Sequence, residues 1–247
     1  FANLPMYDWP EIHDETEALW KAIATRFRKA GIDAPEELHR DYRGLAHWLD
    51  PNLLFSQSCG YPFAKQLMGK VELLGTPVYS VEGCYGSNYS SAIVVRADDA
   101  VASLEDARQH RFAFNGKDSL SGFRCMTPLI ANPQNYFSQS AESGGHRASA
   151  QMVEKGEADI TAIDAVCWHL LQQVEPETAN GLRLLKWGPL FPALPFITRV
   201  GNGSDELGAM HDALNQAIAD VRDKLPTLNL RDIELLPAET YAPLAAL

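Results

Sequence analysis

The chain lacks any apolar run near the roughly 20 residues that cross a bilayer, and it has no internal repeat and no low-complexity stretch. Basic residues are in deficit, with 21 Lys+Arg against 32 Asp+Glu and a formal net charge of -11. That balance argues against a nucleic-acid binder, because a phosphate backbone demands a surplus of Lys and Arg. It leaves room for a small anion, since a local seat of N–H dipoles can oppose the global sign. Cysteine is scarce: Cys59, Cys84, Cys125 and Cys167 contain no C-x-x-C pair, and the seven His fall without zinc-ligand spacing. No metal and no cofactor is therefore expected.

What is present is the material of a folded core. Hydrophobic residues make up 46% of the 247 positions and charged residues 21%, enough for one large domain or two modest ones. The chain opens on Phe1 rather than Met, which a removed leader peptide explains, as does an artificial boundary or a cleaved tag. Cys125 and Cys167 lie in apolar surroundings and read as core, whereas Cys59 and Cys84 lie in polar, turn-like stretches. If the protein is exported, Cys59 and Cys84 are the candidates for a disulfide.

Hydrophobic periodicity alternates along the chain. Strands are predicted at 2–6, 71–79, 91–95, 111–115, 136–140, 158–163, 182–186 and 195–200, with a final I-E-L-L strand in the tail. Helices are predicted at 11–30, from Q-S-C-G-Y-P through Met68, in the short S-L-E-D-A-R segment, and at 121–130, 147–155, 165–173 and 205–221. Ile12, Leu19, Trp20, Ile23 and Phe27 recur at helical spacing before Gly31, and Leu207, Met210, Leu214, Ile218 and Val221 form a second apolar stripe. Such alternation implies α/β architecture with mostly parallel sheets flanked by helices. Two alternating blocks without a linker imply two lobes.

In open parallel sheets, ligands bind beyond the carboxyl ends of strands. Several loops at such places carry small polar groups. Tyr7 follows the first strand, and S-Q-S-C-G-Y brings Ser56, Gln57, Ser58 and Tyr61. The segment D-S-L-S-G-F carries Ser119, Ser121 and Gly122, S-G-G-H ends on His146, and Asp164 closes an apolar strand. The tyrosine- and glycine-rich E-G-C-Y-G-S-N-Y-S-S adds Tyr85, Tyr89 and Ser90. Each has a plainer alternative: Ser119, Ser121 and Asp164 as helix caps, the tyrosines as packing, His146 as a solvated side chain. Repetition at equivalent places favours a binding cleft over independent caps.

The segments S-Q-S-C-G-Y-P, Y-G-S-N-Y-S-S-A-I-V-V-R-A-D-D, F-N-G-K-D-S-L-S-G-F, S-G-G-H-R-A-S-A-Q-M-V and G-E-A-D-I-T-A-I-D-A-V, in this order, resemble the phosphate/phosphite/phosphonate ABC-transporter substrate-binding family. The resemblance implies a type II periplasmic binding protein with a ligand cleft between two lobes, residues 1–95 with 189–247 and residues 96–188. It implies a receptor that binds a small anionic or zwitterionic ligand without chemistry, is periplasmic or exported, acts as a monomer and delivers to an ABC permease in the membrane. The family's serine-rich helix start matches Ser119, Ser121 and Gly122, although Leu120 stands where a threonine is often found. Tyr7, His146 and Asp164 match the family's tyrosine, histidine and strand-end acid, and Ser58, Tyr61 and Tyr85 complete the expected ligand set. An acceptor such as Asp164 welcomes only a ligand carrying a donor, so fully deprotonated sulfate should be rejected. The competing expectations are a ligand-sensing module and a small-molecule enzyme on the same fold, the latter through a thiol–imidazole pair of Cys59 or Cys84 with His146.

Overall fold

The computed structural model describes residues 1–41 and 44–247. In chain order the strands are β1 (Ser56–Gln57), β2 (Val71–Tyr79), β3 (Cys84–Tyr85), β4 (Asn88–Tyr89), β5 (Ser91–Arg96), β6 (Arg111–Phe114), β7 (Gln139–Glu142), β8 (Ile160–Asp164), β9 (Leu182–Trp187), β10 (Phe191–Pro192), β11 (Phe196–Arg199) and β12 (Leu230–Glu234). The α-helices are α1 (His13–Lys29), α2 (Leu45–Trp48), α3 (Gly60–Pro62), α4 (Thr127–Ile130), α5 (Pro133–Tyr136), α6 (His146–Glu154), α7 (Ala165–Val174), α8 (Pro176–Asn180) and α9 (Ser204–Val221). The chain divides into two compact units, one of Phe1–Ser80, Tyr85–Ser87 and Pro192–Ala246, the other of Val81–Cys84, Asn88–Phe191 and Leu247. The boundary expected after residue 95 is displaced, because β5 is hydrogen-bonded to β8 along one edge and β9 along the other.

The first unit carries a sheet of order β1-β11-β2-β12. Helix α1 buries Thr16, Leu19, Trp20, Ile23, Ala24 and Phe27, one stripe at intervals of three and four residues. It stops where Gly31 takes φ +81° and Ile32 N–H returns to the Phe27 carbonyl at 2.9 Å, a closure that favours glycine. Helix α9 packs against α1, and Arg26 donates to Asp220 and Gln216 across the seam. Phe55 is fully buried at the centre of this core. Trp20 lies 5.9 Å from its ring, Phe27 6.2 Å and Phe196 5.2 Å.

The second unit carries a sheet of order β7-β6-β8-β5-β9, in which β6 runs parallel to β7 and β8 while β5 is antiparallel to both β8 and β9. The alternation in R-F-A-F sends Phe112 and Phe114 to one face of β6, with ring centroids 5.8 Å apart. Phe137 covers Phe112 at 4.7 Å and Phe123 covers Phe114 at 4.8 Å. At the start of β6, Arg111 grips Asp159 through Nε at 3.0 Å and Nη2 at 2.7 Å, which holds that carboxyl below its ordinary range.

Several expectations are corrected. The ladders of the first unit's sheet are antiparallel, not mostly parallel. Strand β11, helix α9 and β12 do form an alternating unit, but β2 lies between the two strands and runs opposite to both. The strand expected at 2–6 reduces to one bridge, Ala2 to Phe55, because Pro5 lacks an N–H and the chain turns there. Tyr136 ends a helical turn rather than starting a strand, since Pro133 occupies the first helical position and Asn132 caps Gln134 N–H at 3.0 Å. Residues 121–130 form turns and a short 3-10 segment before α4, and S-L-E-D-A-R forms turns only. No disulfide joins Cys59 and Cys84; all four cysteines are thiols.

Replacing Phe55 by Ala should cost about 3–5 kcal/mol, the range for deleting a buried aromatic ring. Urea unfolding of the variant measures this, and a loss under about 1 kcal/mol would contradict the central placement of the ring.

Candidate functional site

Three parallel strands deliver their carboxyl ends to one edge of the second unit's sheet. β6 ends into Asn115, β7 into Ser143, and β8 on Asp164. Ligand chemistry in such sheets gathers at this edge, where loops turn into helices and backbone groups need partners.

The loop after β6 is held by its own serines. Ser119 Oγ accepts Gly122 N–H at 3.0 Å, and its carbonyl accepts Arg124 N–H at 3.0 Å, so Ser119 acts as the cap of the turn. Cys125 N–H reaches back to the Leu120 carbonyl at 2.7 Å, and its thiol donates to the Ser121 carbonyl at 2.9 Å. Ser121 instead sends its hydroxyl out of the turn, 2.9 Å from His146 Nε2. The loop after β7 is organised by Ser143, whose hydroxyl meets Ser149 Oγ at 2.6 Å and donates to the Gly145 carbonyl at 2.9 Å. This fixes the entry to α6, with His146 as its first residue.

His146 is the junction of the two loops. Asn115 Nδ2 lies 3.3 Å from the same Nε2 that Ser121 approaches. An amide N–H can only donate, so Nε2 is the accepting nitrogen and the proton belongs on Nδ1, which is buried without a hydrogen-bond partner. Burial of the ring lowers its pKa to about 4, and the Ala162 carbonyl opposes that shift only in part. The imidazole is thus neutral near pH 7. Gly122 is required by crowding, not by backbone conformation: a Cβ there would stand 1.8 Å from Asn115 Oδ1 and 3.3 Å from His146 Cε1.

Asp164 caps a helix with one of its two carboxylate oxygens. The residue is buried, and its Oδ1 caps α7 by accepting Val166 N–H at 2.8 Å and Cys167 N–H at 3.3 Å. Its charge, after the larger effect of burial, pushes the Cys84 and Cys167 thiols well above their ordinary range. Neither is a ready nucleophile near neutral pH. Ser90 donates to the Gly188 carbonyl at 2.9 Å, while the neighbouring Ser91, fully buried, has a hydroxyl without a hydrogen-bond partner.

The remaining candidates belong to the first unit. Tyr7 is buried edge-on against Tyr79 with centroids 5.4 Å apart, in a pocket with Leu4, Gln57 and Phe196. Gln57 Nε2 donates to Tyr79 Oη at 3.2 Å and to the Leu194 carbonyl at 3.1 Å. Ser58 is fully buried with an unsatisfied hydroxyl, and Tyr61 is buried in α3. Tyr85 points outward, 64% exposed. Asn115, Ser91 and Tyr79 were not singled out from sequence. Asn115 had a usable signal, being the first polar residue after the apolar R-F-A-F strand.

The depressed pKa of His146 carries a sign. Between pH 6.5 and about 4 the unfolded chain takes up the proton that the folded chain refuses, so stability falls as pH falls through that window. The expected loss is up to about 3 kcal/mol. Urea midpoints from pH 7 to pH 4 should therefore drop more steeply for the wild type than for His146→Gln. Parallel curves would remove His146 from the account.

Residues 4–226 match the family described as ABC transporter, phosphonate, periplasmic substrate-binding protein. No curated sequence matches the chain. Among solved structures, a binding-protein component of a phosphonate ABC transporter from Pseudomonas aeruginosa superposes with a TM-score of 0.76 at 17% identity, over 98% of this chain and 83% of that one. A Xanthomonas citri protein bound to ATP gives 0.73 at 17% identity, over 100% and 95%. A Prochlorococcus marinus protein in complex with methylphosphonate gives 0.73 at 14% identity, over 100% and 96%. These likenesses establish the fold. With the family match spanning nearly the whole chain, the protein belongs to the phosphonate ABC-transporter periplasmic substrate-binding proteins.

Proposed function

We propose that this chain is the receptor of an importer and holds a phosphonyl or phosphoryl group at the carboxyl edge of the second unit's sheet. The observation that carries the reading is the tie between Ser121 and His146, which brings the serine loop and the start of α6 to one place. Ser119 and Ser121 would line the ligand seat from the serine loop, whose turn is closed by Gly122 N–H on Ser119 Oγ. The relatives solved with methylphosphonate and with ATP both hold phosphorus oxyanions, in keeping with this ligand class.

A receptor of this kind works in the periplasm, as a monomer, and hands its ligand to a membrane permease. No helix among the described residues is long and apolar enough to cross a membrane. The raised Cys84 thiol speaks against a Cys84–His146 nucleophile pair. Binding rather than turnover is then the measurable output.

Ligand-stripped protein titrated with methylphosphonate, phosphite, phosphate and sulfate should gain about 2.7 kcal/mol at a hundred times the Kd of a true ligand, seen as a rise in Tm. Ser121→Ala should weaken phosphonate binding by about tenfold, because the serine loop loses the hydrogen bond that ties it to His146. Silence towards every phosphorus oxyanion would refute the reading.

A further inference from the structure

Asn115 holds a position that the serine loop and His146 alone do not explain. Its carboxamide lies over Gly122 so closely that a single methyl group there would collide with it. Its Nδ2 is turned to His146 Nε2, and its Oδ1 is buried with no hydrogen-bond partner. A buried acceptor without a donor is costly and uncommon, and it points to a donor that arrives with a ligand. Asp164, the acceptor expected from sequence, has its Oδ1 committed to the start of α7.

The hydrogen-bond directions at this corner follow from Nε2. One Asn115 N–H and the Ser121 O–H share the single lone pair of that nitrogen, and the group of this corner left unmet is the Asn115 Oδ1 acceptor. That acceptor is buried and has no hydrogen-bond partner. An oxyanion without hydrogen meets lone pair against lone pair there. A P–OH group meets an acceptor.

We propose that Asn115 is the residue by which the seat distinguishes a protonated phosphonyl or phosphoryl group from a fully deprotonated oxyanion of the same shape, its Oδ1 accepting the ligand's hydroxyl while its Nδ2 stays on His146. The inference rests on the receptor reading above and adds the protonation state of the ligand to it. The groups meeting His146 are uncharged: Asn115 following β6, Ser121 from the serine loop, and the Ala162 carbonyl of β8. The nearby charged groups are engaged elsewhere or sit to the side. Arg147 pairs with Glu175 at 2.5 Å, Asp164 caps α7, and Asp118 and Glu142 flank Gly116. Discrimination therefore follows titration of the ligand, not of a neighbouring side chain.

Methylphosphonate and methanesulfonate provide the test. Near pH 6 both are monoanions of nearly equal size, and only the first carries a hydroxyl. Calorimetric titration of the wild-type protein should find methylphosphonate tighter by about ten- to a hundredfold, the effect of leaving a buried acceptor unmet. Asn115→Ala should bring the two within about threefold, and the near-isosteric Asn115→Asp should widen the gap, with circular dichroism confirming that each variant is folded. Equal wild-type affinities overturn the proposal and leave the receptor reading standing, as does a gap that neither substitution changes. If Asn115→Ala does not fold, an unchanged gap in Asn115→Asp overturns it alone. Failure of methylphosphonate, phosphate and methanesulfonate all to bind the wild type overturns the receptor reading, and the proposal with it.

Discussion

The contact between Ser121 Oγ and His146 Nε2 joins two loops that leave adjacent parallel strands, and the order of the second unit's edge depends on it. Each loop has its own internal support, from Ser119 on one side and Ser143 on the other. Without the imidazole between them, they would be two independent turns. Because the ring is neutral, the link is a hydrogen bond between uncharged groups. Its strength then depends on geometry and the exclusion of water rather than on ionic attraction. Asn115 and Gly122 complete the arrangement, one by occupying the space over the turn and the other by leaving that space open.

The two units reach stability by different routes. In the first, an antiparallel sheet and a pair of long amphipathic helices enclose an aromatic centre around Phe55. In the second, the parallel strands bring their own aromatic stack, Phe112 and Phe114 with Phe123 and Phe137. Phe123 lies just beyond the serine loop. Packing of its ring against Phe114 therefore anchors the far end of the turn that carries Ser119 to Gly122, so that core and site share a support.

Much of this was legible locally. Helices α1 and α9 and strand β2 follow from periodicity and from Gly31, and Ser119, Ser121 and His146 stand out by turn chemistry. Strand direction was not legible, because β11 follows a long excursion through the second unit and then pairs against β2, and local pattern carries no record of that return. Tyr136 was misread because the capping effect of Asn132 and Pro133 outweighed the apolar run that follows. Asn115 was passed over because its significance comes from Gly122 and His146, which pack on it from later in the chain. The capping role of Asp164 shows only in the N–H groups of α7 that its Oδ1 accepts.

The cysteines bear on the compartment in which such a protein works. Thiol–disulfide exchange starts from the thiolate, so a thiol that rarely ionises is slow to react even in an oxidising environment. Cys84 and Cys167 are held in that condition by burial and by the carboxylate of Asp164, and Cys125 lies fully buried with its S–H on the Ser121 carbonyl. The carboxylate that caps α7 thereby also acts as a chemical preservative. Added to the larger effect of burial, it helps the Cys84 and Cys167 thiols persist where oxidants are present.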